Sequence, residues 1–296
     1  MKQGNQLPKA TPAAKLRAFI SQEGILAVPG VYDCLTALMA ERAGFGVAML
    51  GGNATTASLL GLPDLGFLSL GELVNQVKNV CQVLRIPLKV DADTGFGGPL
   101  QVFRTFRELE RAGAAAIQIE DQIPAKRCGL LEGGHPLVSP EEMKAKVEAC
   151  LQARENPDTV IIARTLAYSS FGLEEAIRRA QVYRTAGADA IFVQVPGTPE
   201  ELKKIRAEID GPLALNMDES TEASALNLGE AEALGYKLAL FPGSIRYTVV
   251  RTIGELLSSL KKEGSTKQVR NRMASLGEYH EVLRMEEFLT LDQRLR

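Results

Sequence analysis

Ala112-Gly113-Ala114-Ala115-Ala116-Ile117-Gln118-Ile119-Glu120 holds a helix end, an apolar strand and a carboxylate in immediate succession. A glycine just past a helix takes the left-handed conformation without a side-chain penalty, so Ala112-Gly113 reads as the stop of a helix. The same unit recurs at Ala43-Gly44 before Val47-Ala48-Met49-Leu50, at Ala186-Gly187 before Ala190-Ile191-Phe192-Val193, and more loosely at Leu234-Gly235 before Leu238-Ala239-Leu240-Phe241. Four further apolar runs lie between these copies: Ile25–Val28, Pro87–Val90, Val160–Ala163 and Pro212–Leu215. Short apolar strands alternating with amphipathic helices predict a parallel sheet covered by helices. Eight such units predict closure into a (β/α)8 TIM-type barrel, with a doubly wound open sheet as the structural alternative.

The length agrees. A chain of 296 residues suits one barrel of about 250 residues plus an extension, so a single domain over 1–296 is expected. Residues 1–15, polar and with two prolines, read as a flexible N-terminus. The eighth helix is expected from Gly243 to Lys262, and 266–296 adds one or two amphipathic helices whose apolar face needs a partner, its own barrel or another subunit.

Composition excludes several functions. A net charge of −2 leaves no electrostatic footprint for nucleic acid or anionic lipid. No stretch has the length and apolarity of a membrane span or a signal peptide. Cys34, Cys81, Cys128 and Cys150 form no CxxC pair, which favours reduced thiols in a cytoplasmic protein over a zinc site or a disulfide framework.

Barrel enzymes carry their chemistry where strands end at the C-terminal face. Those positions read Asp33, Gly51-Gly52-Asn53, Asp91 and Asp93, Glu120 and Asp121, Arg164, Gln194, Asn216 and Arg246. Asp91-Ala-Asp93-Thr-Gly-Phe-Gly-Gly98 is the sharpest motif. Two carboxylates at a strand end, with Glu120 on the next strand directly or through water, suit Mg2+, which takes a few carboxylate oxygens and keeps several waters. The plain alternative is a helix cap and a glycine turn before Gln101. Cys128 sits in Lys126-Arg127-Cys128-Gly129, where flanking cations favour a thiol that donates a proton, though an ordinary loop cysteine fits too. Arg164 ends an apolar strand and needs an anion, either a substrate carboxylate or a structural ion-pair partner. His135 and His280 receive no role, His135 lying in a mobile-looking loop.

From about Ala14 onward the chain resembles the isocitrate lyase and phosphoenolpyruvate mutase superfamily, in its methylisocitrate lyase and carboxyphosphonoenolpyruvate mutase branch. The resemblance rests on Leu60-Gly-Leu-Pro-Asp64-Leu-Gly66, Val90-Asp-Ala-Asp-Thr-Gly-Phe-Gly97, Ile119-Glu-Asp-Gln122 with Lys126-Arg-Cys-Gly129, and Ile161-Ile-Ala-Arg-Thr165. It implies a barrel with last helices exchanged between subunits of a homotetramer, Mg2+ on Asp91, Asp93 and Glu120, and a gating loop over roughly 122–137. It implies that Cys128 and Arg164 take part in catalysis, and that Gly51, Gly52, Asn53, Asp64, Gln194, Asn216 and Arg246 contact a small 2-oxo or 2-hydroxy carboxylate. In lyases of this kind the 2-hydroxyl loses its proton, a carbon–carbon bond breaks, and the cysteine protonates the enolate fragment. The chain departs from their pattern at Met49 (tyrosine), Gly51 (serine), Leu130 (histidine), Leu166 (aspartate) and Gln194 (glutamate). The resemblance therefore leaves three expectations: a carbon–carbon lyase for a 2-hydroxy di- or tricarboxylate, a phosphonomutase or oxo-acid hydrolase or decarboxylase, and a weakly catalytic oxo-acid binder.

Overall fold

The computed structural model describes residues 10–124, 126–131 and 133–296. Its first elements are α1 (Pro12–Ser21), β1 (Leu26–Val31), α2 (Cys34–Arg42), β2 (Ala48–Leu50), α3 (Gly52–Leu60), α4 (Leu70–Val83), β3 (Leu88–Asp91) and α5 (Pro99–Arg111). Then follow β4 (Ala116–Glu120), α6 (Pro140–Ala153), β5 (Val160–Thr165), α7 (Tyr168–Phe171), α8 (Leu173–Thr185), β6 (Ala190–Val193), α9 (Pro199–Glu208) and β7 (Leu213–Asn216). The chain ends with α10 (Leu228–Ala233), β8 (Leu238–Phe241), α11 (Ser244–Glu263), α12 (Leu276–Val282) and α13 (Met285–Leu295). All strands are parallel and close in sequence order, β1 pairing with β8, so the open-sheet alternative is excluded.

The glycines of the repeat work as the sequence predicts. Gly113 has φ 110°, and a Cβ there would lie 2.8 Å from Cβ of Cys81, so both its conformation and its close packing require glycine. Helix starts are equally local: Ser69 and Glu72 form a reciprocal capping box at α4, and Thr198 and Glu201 another at α9.

The core has two layers. Outward-facing strand residues such as Leu50, Val90, Ile117, Ile119 and Ile161 pack against the helices. Inward-facing ones, among them Val28, Met49, Ala116, Ile162, Phe192, Ala214 and Leu240, fill the barrel itself. Ala13, Leu16 and Ile20 of α1 join the inner layer and plug its N-terminal end. This corrects the expected flexible N-terminus for residues 12–15. Thr11 accepts from the N–H of Ala14, and Pro12 opens a helix, where a proline loses no intrahelical hydrogen bond. Residues 1–9 of that expected segment lie outside the described residues.

The C-terminal extension is helical, as expected. Helix α11 buries no residue, and Val250, Leu257, Phe288 and Leu295 are 74%, 56%, 64% and 77% exposed. Arg284 and Glu41 pair where α12 and α13 meet α2, and Arg85 pairs with Glu287. Among the described residues no helix is long and apolar enough to cross a membrane.

Candidate active site

The barrel's C-terminal face holds a cavity of about 70 Å³, room for a few waters or one small acid. Strand register builds its floor. Asp91 pairs with Gln118 across β3 and β4, and Glu120 with Arg164 across β4 and β5. Period-two alternation then turns these side chains, with Lys89, to the barrel interior. Gln118 Nε2 donates to Asp91 Oδ1 at 3.0 Å. Arg164 Nη1 lies 3.2 Å from Glu120 Oε2 and 4.0 Å from Asp91 Oδ2. Its Nη2 donates to Gln194 Oε1 at 2.7 Å, and its guanidinium lies 4.7 Å from the Phe192 ring centre.

Asp93 follows in the left-handed region, φ 51°, which asparagine and aspartate tolerate better than other side chains. Such strain persists only where surrounding structure enforces it, and it clusters at functional sites. Gly52 explains the close fit: a Cβ there would come within 2.7 Å of Asp93 Oδ1. Lys126 Nζ reaches over from the loop, 2.7 Å from Asp93 Oδ1 and 2.6 Å from Asp64 Oδ1. Both oxygens are buried, and Lys126 is their shared partner.

The electrostatics reflect this crowding. Burial, then Asp91 and Asp64 against the opposing pull of Lys126, brings Asp93 up to about 6. Burial outweighs the attraction of Arg164 and Lys126 at Glu120, which rises to about 7. Asp91 is also pushed up by burial, but Lys89, Arg164 and Lys126 together hold it below its usual range. Lys89 is lowered to about 8, mainly by burial.

Lys126 to Leu130, in the connection between β4 and α6, line the cavity. A bridge between Gln122 and Leu137 closes the base of that connection. Gln122 ties it to the floor, donating to Glu120 Oε1 at 2.6 Å and to the Arg127 carbonyl at 2.8 Å. The Cys128 N–H donates to the Asp64 carbonyl at 3.0 Å, and Asn53 Nδ2 lies 3.5 Å from Cys128 Sγ. Cys128 thus lines the cavity together with the carboxylates of its floor. Leu130 lines the cavity, whereas Leu166 packs behind Gly129.

Most residues singled out in the sequence converge here. Gly51, Gly52, Asn53, Asp64, Asp91, Glu120, Cys128, Arg164, Asn216 and Arg246 line the cavity. Asp93 lies behind Gly52, and Gln194 reaches the cavity through Arg164. Other readings need correction. Lys126 is engaged by Asp64 and Asp93 rather than held for the thiol. Asp121 is fully buried with Thr165, Arg179 and Tyr183, a structural network. Asp33 caps α2. His135 is 4% exposed, not on a loose loop, and its N–H donates to Ser170 Oγ. Sequence reasoning missed Lys89, Gln118 and Asp218; a lysine in register with Asp91 on an apolar strand was the available signal.

The residues suit a hard divalent cation. Asp91, Asp93 and Glu120 supply carboxylate oxygens, and the Lys126 ammonium stands beside Asp93 Oδ1, a cation where the metal's charge would fall. No three His, Cys, Asp or Glu among the described residues already stand in ligand geometry; Arg164 and Lys126 lie between the carboxylates. Mg2+ keeps waters and needs only one or two direct carboxylates, so this donor set fits it once Lys126 leaves Asp93.

A closed parallel barrel with carboxylates, cations and a thiol at its C-terminal strand ends is the architecture of a barrel enzyme. A family model described as phosphoenolpyruvate phosphomutase matches residues 16–257, and the chain belongs to that family. It is 38% identical over 274 residues to 2,3-dimethylmalate lyase of Eubacterium barkeri, covering 93% of this chain and 94% of that protein. It is 40% identical over 276 residues to 2-methylisocitrate lyase of Aeropyrum pernix, covering 93% and 88%. The expected kinship with oxo-acid lyases thus agrees with the relatives' names. Among solved structures, phosphonopyruvate hydrolase in complex with oxalate and Mg2+ matches with a TM-score of 0.87 and 28% identity, over 96% of this chain and 99% of that one.

Proposed function

We propose that this chain is a Mg2+-dependent carbon–carbon lyase that splits a small 2-hydroxy di- or tricarboxylate, related to dimethylmalate or methylisocitrate, into a 2-oxo acid and a second carboxylate. The observation that carries this reading is the position of Cys128. It lines the same cavity as Asp91, Glu120 and Arg164. The names of the lyase relatives support it.

Asp91, Asp93 and Glu120 are the residues that would hold Mg2+, directly or through water, once Lys126 withdraws from Asp93. Bound there, the cation would supply charge stabilisation for oxygen anions at the 2-position. Arg164, oriented by Gln194 and Phe192, anchors a substrate carboxylate. Asn216 and Arg246 receive the distal end, with Arg246 aligned by Asp218 at 3.1 Å. As the 2-hydroxyl passes its proton to a carboxylate of the cavity floor, which later returns it to solvent, C2 becomes the carbonyl of the 2-oxo acid and the C2–C3 bonding pair moves into the departing fragment as an enolate. Cys128 then transfers its S–H proton to that carbon and recovers one from solvent. Asn53 fixes the sulfur for this step. The loop excludes water while the enolate exists.

A second reading, a phosphonomutase or oxo-acid hydrolase or decarboxylase, draws on Leu130. Where lyases of the resembling branch place histidine, an apolar side chain lines the cavity. Incubation with 2,3-dimethylmalate, 2-methylisocitrate and phosphonopyruvate in Mg2+, read by mass spectrometry, separates these readings. Two carboxylate fragments indicate the lyase, an isomer the mutase, and loss of phosphate or carbon dioxide the hydrolase or decarboxylase. No turnover indicates a binder.

The assembly belongs to the same proposal: the exposed apolar faces of α11 and α13 cover a neighbouring barrel in a homotetramer. Deleting 266–296 should yield monomers or aggregates. A truncated chain of unchanged mass in light scattering contradicts the exchange.

A further inference from the structure

Lys89 has a position that the mechanism above leaves unused. It alternates with Asp91 on β3, points into the barrel, is 2% exposed and lines the cavity. An ammonium has three protons to donate, yet the one polar partner of Lys89 among the described residues is the thioether of Met49, 3.1 Å away. A thioether is a weak acceptor. The chain treats its other buried lysines differently. Lys126 sits between two carboxylates, and Lys146 donates to the Thr94 carbonyl at 3.2 Å. The carboxylates nearest Lys89 are held by other donors: Asp91 by Gln118, and Glu120 by Arg164 and Gln122. A buried charge short of acceptors is costly unless a ligand completes it.

We propose that Lys89 is a substrate-binding, specificity-determining cation of the cavity floor, placed to donate to the oxygens of a dianionic 2-oxo or 2-hydroxy acid that Arg164 also contacts. This rests on reading the cavity as an oxo-acid site. The two cations come from β3 and β5, on either side of the strand that carries Glu120, and so bracket one small ligand. An apolar residue at position 89 could pack there but could not select a dianion. Met49 completes the arrangement by filling space beside the ammonium while competing only weakly for its protons.

The probe is oxalate, the smallest dianion with the required oxygens, titrated calorimetrically in saturating Mg2+. Mg2+ is also titrated alone. Lys89→Met keeps the length of the side chain and removes the charge, and should weaken oxalate by about 10- to 100-fold, the loss of one charge-assisted hydrogen bond. Mg2+ affinity alone should stay equal or become tighter, because a cation has left the neighbourhood of Asp91. Lys89→Gln keeps a donor and serves if the first variant does not fold; it should fall between the two. Equal oxalate binding in wild type and the folded variants overturns the role of Lys89. A parallel loss of Mg2+ affinity overturns it as well, because Lys89 would then act on the metal site. A wild type that takes no oxalate in Mg2+ contradicts the reading of the cavity itself and removes this role with it.

Discussion

The two ends of the barrel both bury charge, and they do so in opposite ways. At the N-terminal end, Asp189 receives Arg17 at 3.1 Å, Arg154 at 2.8 Å and the Ile161 N–H at 2.8 Å, so its carboxylate oxygens are all partnered. At the C-terminal end, Asp64 Oδ1 and Asp93 Oδ1 share the one ammonium of Lys126, Gln118 Oε1 and Arg164 Nε are buried without hydrogen-bond partners, and Asp93 lies in the left-handed region. Satisfied charge locks the strands and α1 together. Unsatisfied charge costs folding energy and persists where a ligand completes it. One barrel thus divides stability and chemistry between its two faces.

Asp93→Ala tests the division most severely. It should abolish turnover and Mg2+-dependent oxo-acid binding while the barrel remains folded, read by calorimetry beside circular dichroism. Full activity of this variant in a chelator would mean that the carboxylates are structural. Cys128→Ser comes next, with an expected loss of about two to four orders of magnitude in rate while Mg2+ and product still bind. Wild-type turnover in that variant makes the thiol a bystander.

At the other end the effect should be smaller and of a different kind. Asp189→Ala leaves Arg17 and Arg154 without their carboxylate and should cost about 2–4 kcal/mol of stability, with KM unchanged. A changed KM with unaltered melting would erase the contrast between the ends.

The least effect concerns pH. Asp93 and Glu120 stand at about 6 and about 7 in the folded chain, above the unfolded carboxylate range near 4. Between those values the folded state binds more protons than the unfolded state, so stability falls as pH rises. Metal-free protein should therefore melt a few degrees lower at pH 8 than at pH 5 as far as these two groups govern it, and Mg2+ should reduce the difference. A pH trend that Mg2+ and Glu120→Gln both leave untouched assigns it to other groups.

The barrel was legible because its signals are local. Ala112-Gly113 and its copies stop helices by backbone preference alone, and the apolar strands follow at once. The carboxylate trio and Cys128 were legible because strand ends project to one face. What escaped depends on register and distance. Lys89 reads as one charged residue in a strand until pairing with Met49 and Ala116 turns it inward. Lys126 stands beside Cys128 in sequence, yet its charge goes to Asp64 and Asp93, which only the folded loop brings near. Polar residues and two prolines in 1–15 read as a flexible segment, although Thr11-Pro12 is also a helix start, and packing beneath the barrel settles which. His135 follows two glycines and looks loose until Ser170 holds its backbone.

The central claim is that the unsatisfied end of the barrel cleaves a carbon–carbon bond and that Cys128 protonates the fragment. Wild type and Cys128→Ser, each with Mg2+ and 2,3-dimethylmalate or 2-methylisocitrate in D2O, test it together. The account predicts two carboxylate fragments from the wild type, one of them carrying a single new carbon-bound deuterium by mass spectrometry and NMR, and a yield from Cys128→Ser lower by at least about 100-fold. Intact acids in both reactions, or equal deuterium incorporation by both proteins, would contradict it.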